Sequence, residues 1–217
     1  MAAIVTLTMN PALDIATATE RIVPTHKLRC DMPRYDPGGG GINVARAVHA
    51  LGGDALAIFP AGGSAGDMVR HLLAAEGVAH AAVAVAGFTR ESLAVEERAS
   101  SEQYRFILPG PEIGPADQQR CLDRLAAAAA DAAYIVASGS LPPGAPEDFY
   151  ARVAALAGDS MLAGILVGLT RGLSLPDSVQ LGMAAGTAAL FGRGTQSCHL
   201  ADVERLYAAA RSAASPR

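Results

Sequence analysis

A run of four glycines between Pro37 and Ile42 is the first place in this chain where residue type and spacing could do chemistry. Gly38, Gly39, Gly40 and Gly41 carry no Cβ, so the main chain there can take positive φ and touch a bound molecule. The segment Ile42-Asn43-Val44-Ala45-Arg46-Ala47-Val48-His49-Ala50-Leu51 follows with apolar residues at helical spacing. A glycine loop therefore opens onto a helix N-terminus, where unpaired N–H groups and the helix dipole favour polar or anionic ligand groups. Asn43 falls in the first turn, where its amide can address the same ligand. The alternative is a loop that serves helix–sheet packing alone, and spacing does not separate the two. Asp14, just beyond Asn10-Pro11-Ala12, is either a turn-capping carboxylate or an acceptor for ligand hydroxyls. Arg90 and Arg105 lie at the base of and within an alternating segment. Strand arginines are mostly solvated, but one that faces a pocket can fork onto a phosphate. Ser138-Gly139-Ser140-Leu141-Pro142-Pro143-Gly144 has the glycine spacing of a phosphate loop, yet Ala145 follows instead of Lys, so there is no Walker A motif.

The elements that must position these residues can be read in order. Ile4 to Met9 is β-branched and apolar and predicts a buried strand. Leu13 to Thr19 alternates in part, and Lys27 to Tyr35 alternates polar with apolar, which predicts a further, exposed strand. After the glycine loop and its helix, Asp54 to Pro60 predicts a core strand, Met68 to Glu76 a helix and His80 to Ala86 a short strand. Strands alternating with helices predict a parallel sheet with crossover connections. Glu91 to Ala99 and Gln103 to Leu108 alternate instead, and Ser100-Ser101-Glu102 joins them like a hairpin. With the segments around 14–35 they predict a small antiparallel lid, its strands at about 14–35 and 90–108. A helix to about Ala130, a core strand at Tyr134-Ile135-Val136-Ala137 and a helix over Pro146 to Leu156 come next. The alternation then stops at Ala155-Leu156-Ala157. Three helices are expected in succession, over 158–172, 176–191 and 200–213, with no strand to feed a crossover.

The chain has 217 residues, of which 51% are hydrophobic and 18% charged, which fits a single domain over 1–217 with a sizeable core. Its formal net charge of -4, without a basic block, argues against a nucleic-acid partner. Cys30, Cys121 and Cys198 form no C-x-x-C, and the five histidines form no H-E-x-x-H, so no disulfide framework or metal site is expected. The opening Met1-Ala2-Ala3-Ile4-Val5 shows no signal-peptide pattern, and Met161 to Thr170 is too short to span a membrane. A cytoplasmic location and no membrane partner are the expectation.

Six motifs, taken in order, identify a resemblance. They are Thr6-Leu7-Thr8 with Asn10-Pro11-Ala12-Leu13-Asp14; Pro37 to Arg46; Phe59-Pro60-Ala61-Gly62-Gly63; Glu102-Gln103-Tyr104-Arg105-Phe106; Ser138 to Gly144; and Ala157-Gly158-Asp159-Ser160-Met161. Each alone is weak; together they resemble the PfkB-type sugar kinases of the ribokinase-like superfamily, and among them the bacterial ATP-dependent 6-phosphofructokinases, over Ile4 to about Tyr207. The resemblance implies an α/β fold, a ribokinase-like three-layer α/β/α sandwich around a parallel sheet with a small β lid. It implies ATP with Mg²⁺ as phosphoryl donor and a sugar phosphate as acceptor, fructose 6-phosphate giving fructose 1,6-bisphosphate in glycolysis, with fructose 1-phosphate or tagatose 6-phosphate as alternatives. It also implies a homodimer formed through the lid.

Residue by residue, the resemblance implies that Asp14, Gly38, Gly39 and Asn43 hold the sugar, that Lys27, Arg90 and Arg105 lie toward its phosphate, and that Ser140 lines the pocket floor. Asp159 would be the base that deprotonates the attacking hydroxyl, with Gly158 and its neighbours as an anion hole. Ala157, Ser160, Ala185 and Gly186 would lie on the nucleotide side. Two departures stand out. The family's middle section is missing near 156–158, which reads as an internal deletion and leaves the central sheet incomplete, and no Asn-x-x-Glu occurs after Ser140. The family's Gly-Ala-Gly-Asp reads Leu156-Ala157-Gly158-Asp159, with a leucine in a tight turn. The resemblance therefore also fits a fragment that binds sugar phosphate without turnover.

Overall fold

Parallel strands rich in Val, Ile, Ala and Leu form the centre of the molecule. The computed structural model of the chain describes residues 4–129, 132, 134–150, 165, 169–189 and 200–214. The central sheet joins β1 (Ile4–Leu7), β4 (Ala55–Ala61), β5 (Ala79–Ala84) and β8 (Tyr134–Ala137) in the order β5-β4-β1-β8, every pair parallel. Side chains alternate across it. Ala57 and Phe59 of β4 pack with Ile42 and Ala45 of α1 (Gly40–Ala50) and with Val69 and Leu73 of α2 (Gly63–Ala75). Ile58, with Val5 and Leu7 of β1, packs on the opposite face against Cys121 and Leu125 of α3 (Pro115–Ala129). Two helical layers thus enclose one sheet, as expected for a buried parallel sheet. Burial pushes the Cys121 thiol up to about 12, which marks it as a packing residue and not a nucleophile. The last two helices, α4 (Leu175–Ala189) and α5 (Leu200–Ala214), share their own apolar contact through Leu181, Ala184, Ala185, Val203 and Leu206.

A second four-stranded sheet carries the lid. It joins β2 (Ala12–Thr19), β3 (Arg34–Gly38), β6 (Arg90–Glu97) and β7 (Glu102–Ile107) in the order β3-β2-β6-β7. The hairpin of β6 and β7 is as the alternation predicts. The sheet is mixed, not wholly antiparallel, because β2 and β6 run parallel from Ala12 opposite Arg90 to Thr19 opposite Glu97. The chain between them passes through two helical crossovers, so it returns in the same direction.

The expected strand over Lys27 to Tyr35 is also corrected: β3 begins only at Arg34 and runs into the glycines. Residues before it follow β2 through other bonds. The Thr17 and Thr19 hydroxyls donate to the carbonyls of Asp31 and Arg29, and the Asp31 N–H donates to the Ala18 carbonyl. Pro24 and Pro33 have no N–H to offer a ladder. The second helix starts at Gly63, five residues before Met68, because the turn-like Gly63 to Asp67 is already helical. The fourth and fifth helices match the expected spans closely. Most of the helices expected over 158–172 and 146–156, and the 156–158 junction, lie outside the described residues.

Thr8 holds the start of α1. Its hydroxyl, fully buried, accepts the Ile42 N–H at 2.9 Å. Replacing Thr8→Val keeps the shape and orphans that N–H, so the folded state should lose about 1–3 kcal/mol, read as a lower urea midpoint at unchanged slope.

Candidate active site

The glycine run sits where three main-chain segments converge. Gly39 has φ +126, a region L side chains rarely adopt. A methyl on Gly40 would come within 2.6 Å of the Gly139 nitrogen, and one on Gly41 within 2.7 Å of the Thr8 hydroxyl. The Gly41 N–H donates to the Ser138 carbonyl at 3.2 Å, and the Ser138 N–H to the Leu7 carbonyl at 3.1 Å. The start of α1 is thereby placed at the carboxyl ends of β1 and β8, the edge where open α/β sheets bind ligands.

Beside it lies a cavity of about 560 Å³ lined by Asp14, Asn43, Arg105, Asp36, Arg46 and Ser92, among others. The lid register explains the lining. Asp36 stands opposite Asp14, Asp14 opposite Ser92, and Ala94 opposite Arg105, so alternate residues of four strands share one face. Gly38 lies against Asp14: a methyl there would fall 2.3 Å from the Asp14 carboxylate oxygen. Asn43 is exposed and its side-chain amide makes no bond among the described residues. Arg105 also has no hydrogen-bond or carboxylate partner among them, whereas Arg34 is paired with Asp36 at 2.7 Å. Arg90 donates to the Asn10 carbonyl at 3.3–3.4 Å, and the Asn10 amide donates to the Ser140 hydroxyl at 3.1 Å. Asn10 thus links the lid base to the loop after β8.

Of the expected sugar-side residues, Asp14, Asn43 and Arg105 line the cavity, and Gly38 and Gly39 border it through Asp14 and α1. Arg90 and Ser140 meet at Asn10 instead of lining it. Lys27 is exposed in the segment before β3, away from the cavity lining. Ala185 is buried between α4 and α5, and Gly186 follows it in α4. Asp159, Gly158, Ala157 and Ser160 lie outside the described residues. Sequence reasoning passed over Asp36, Ser92, Gln103 and Arg46, all of which line the cavity. The first three sit two residues from Gly38, Arg90 and Arg105, so the period of a strand was signal enough. Arg46, one helical turn beyond Asn43, carried a similar cue.

Among the described residues no group of three or more His, Cys, Asp or Glu converges as a metal centre. No helix among them is long and apolar enough to cross a membrane.

The geometry and the sequence lead to one class. The family model described as pfkB family carbohydrate kinase matches residues 7–157 and 156–202, and the chain belongs to that family of sugar kinases, which are phosphotransferases. It is 39% identical to ATP-dependent 6-phosphofructokinase isozyme 2 of Mycobacterium tuberculosis H37Rv over 300 residues, spanning 94% of this chain and 88% of that one. That span exceeds the 217 residues present here, so the alignment crosses positions this chain lacks. It is 51% identical to the same-named isozyme of Escherichia coli K12 over 144 residues, 66% of this chain and 46% of that one. The crystal structure of phosphofructokinase-2 from Escherichia coli in complex with fructose-6-phosphate superposes with a TM-score of 0.66 at 30% identity, covering 96% of this chain and 99% of that chain.

Burial raises the pKa of Asp14 above the ordinary carboxylate value, and Asp36 adds to the rise, while Arg90, Arg105 and the Ser92 hydroxyl oppose it. A raised folded-state pKa means that the ionised carboxylate costs stability above that pKa and not below the unfolded one. The Asp14→Asn variant should therefore melt higher than the parent at pH 7. The gap should close as the pH falls below about 4, which melting curves across pH will read.

Proposed function

We propose that the cavity between lid and glycine loop binds a phosphorylated ketose, fructose 6-phosphate foremost, and that ATP phosphorylates it there to fructose 1,6-bisphosphate. The observation that carries this reading is the meeting on one cavity wall of Asp14 with Arg105 and the Asn43 amide, neither of which has a hydrogen bond or ion pair among the described residues. A carboxylate and an amide suit sugar hydroxyls, and guanidinium suits phosphate. The bound sugar phosphate in the Escherichia coli relative supports the same choice.

In this reading the Asp14 carboxylate accepts sugar hydroxyls, Asn43 orients them, and Arg105 holds the phosphate, while Arg90 braces the lid base through Asn10 and Lys27 stays outside the cavity lining. Gly38 and Gly39 keep the approach clear, and Ser140 closes the far side through Asn10. The sugar's remaining primary hydroxyl oxygen attacks the γ-phosphorus of ATP, the bond to the bridging oxygen of ADP breaks, and the hydroxyl proton passes to Asp159. The N–H groups around Gly158, with Ala157 and Ser160, would receive developing charge, and Ala185 and Gly186 would border the nucleotide. Such a transfer needs positioning and charge stabilisation above all.

A second reading has its own observation. The two stretches matched to the family model meet at 156–157, and no Asn-x-x-Glu follows Ser140. An internal omission there leaves a protein that binds sugar phosphate without turnover. The two readings part in one set of measurements. Fructose 6-phosphate should raise the melting temperature of the parent and not of Asp14→Asn. ADP release that depends on fructose 6-phosphate and falls at least ~1000-fold in Asp159→Asn supports the kinase. Stabilisation by the sugar phosphate without stabilisation by Mg-ATP or ADP release supports the binder, and stabilisation by neither removes both.

We also propose that the lid pairs two copies. Tyr104 and Phe106 alternate with Arg105 on β7, face away from the cavity side and are more than a third exposed. The Phe106→Asp variant should run as a monomer in light scattering where the parent runs as a dimer.

A further inference from the structure

Arg46 lines the cavity but holds none of the roles above, and its own contacts are numerous. Its Nε and Nη2 donate to the two Glu76 carboxylate oxygens at 2.6 and 2.7 Å. Its Nη1 donates to the Pro37 carbonyl at 3.2 Å, and its Nη2 lies 3.7 Å from the Asp36 carboxylate. One guanidinium therefore joins three elements. It stands three residues after Asn43, on the same face of α1. Pro37 is the last residue before Gly38, which lies against Asp14. Glu76 ends α2. Glu76 does not line the sugar cavity; it borders a separate cleft of about 460 Å³ with Arg46, His49 and Val78. Anything it does for the sugar is done through Arg46.

We propose that Arg46, clamped by Glu76, is a positioning residue: it locks the Pro37-Gly38 main chain to α1, so that Asp14 and Asn43 present their groups to the same sugar hydroxyls. The inference rests on the reading of the cavity as a sugar-phosphate site. Both partners are partly exposed, with side chains 29% and 35% accessible, so the pair adds little to stability. Its value lies in geometry. A planar fork that bonds Glu76 in two places has one orientation left for Pro37, which a lysine ammonium cannot reproduce. Misplacing two substrate-holding groups by a fraction of their hydrogen-bond length costs affinity well out of proportion to the change in fold stability.

Calorimetric titration of fructose 6-phosphate into the parent, Arg46→Met, Arg46→Lys, Glu76→Gln and the Arg46→Met/Glu76→Gln double variant tests this, with the unliganded melting temperature of each. The expected result is binding by the parent, a loss of roughly tenfold in both Arg46→Met and Glu76→Gln, and little recovery in Arg46→Lys although its charge is kept. The double variant should bind no more weakly than Arg46→Met alone, since the two residues act as one unit. Unliganded melting temperatures should stay within a few degrees of the parent. Parent-like affinity in Arg46→Lys, additive losses in the double variant, or losses that track the melting temperature would overturn the proposal and leave the sugar site standing. A parent that does not bind removes the site reading and this inference with it. If Arg46→Met does not fold, the surface variant Glu76→Gln decides the matter, and unchanged affinity there overturns it.

Discussion

Everything at this site depends on how closely three stretches of main chain approach one another at the start of α1. The end of β1, the glycine run and the loop after β8 come together because the glycines place no side chain of their own between them. A single methyl on Gly40 would press on the Gly139 nitrogen, and one on Gly41 on the Thr8 hydroxyl. The contact is closed by hydrogen bonds, from Gly41 to the Ser138 carbonyl and from Ile42 to the Thr8 hydroxyl. These bonds satisfy N–H groups that a helix start leaves without partners of its own. Because the approach is this close and hydrogen-bonded, the start of α1 and with it Asn43 have a defined place beside the cavity.

The lid contributes the charges and the parallel core contributes their placement. Asp14 and Asp36 face each other across the β2–β3 ladder, and the Asp36 charge adds to the rise that burial gives the Asp14 carboxyl. Arginines answer from several strands and from α1. Arg34 and Arg46 are taken up by Asp36 and Glu76, which makes them part of the framework. Arg105 makes no ion pair with a carboxylate among the described residues, so its guanidinium keeps its hydrogen-bond donors open toward the cavity. Carboxylates suit hydroxyls, and a guanidinium suits a phosphate.

The mixed order of the lid explains how residues far apart in the chain meet. Two crossovers through the core separate β2 from β6, yet they lie side by side and parallel, so Asp14 and Ser92 are direct neighbours. The hairpin of β6 and β7 then carries Arg105 to the same face. The family relationship is consistent with this plan, since the lid and the glycine loop fall within the 7–157 stretch of the family match. The cavity side of the fold is thus built from the first two-thirds of the chain, while α4 and α5 form an apolar pair of their own.

Much of this was legible in the amino acids alone. Strand and helix periods located the core strands, the first helix and the β6–β7 hairpin, because apolar spacing reports directly which face each element buries. Residue types with a narrow physical purpose were legible too: four glycines in a row meant a close approach, and Asp14 with Asn43 meant hydrogen bonding. The segment at 27–33 was misread because its alternation is real, but its backbone bonds go to threonine hydroxyls and to few ladder partners. The direction of β2 against β6 was equally hidden, since local alternation is the same in parallel and antiparallel pairs. By itself, then, the order of residues determined the element types, the buried faces and the glycine contact, all of which depend on neighbours a few positions away. Only the tertiary structure decided that Asp36, Ser92 and Arg46 join the cavity, that among the described residues Arg34 has a carboxylate partner and Arg105 has none, and that Ser140 is reached through Asn10. Those outcomes depend on strand register and on which charge finds a partner across the fold, and neither is encoded in local spacing.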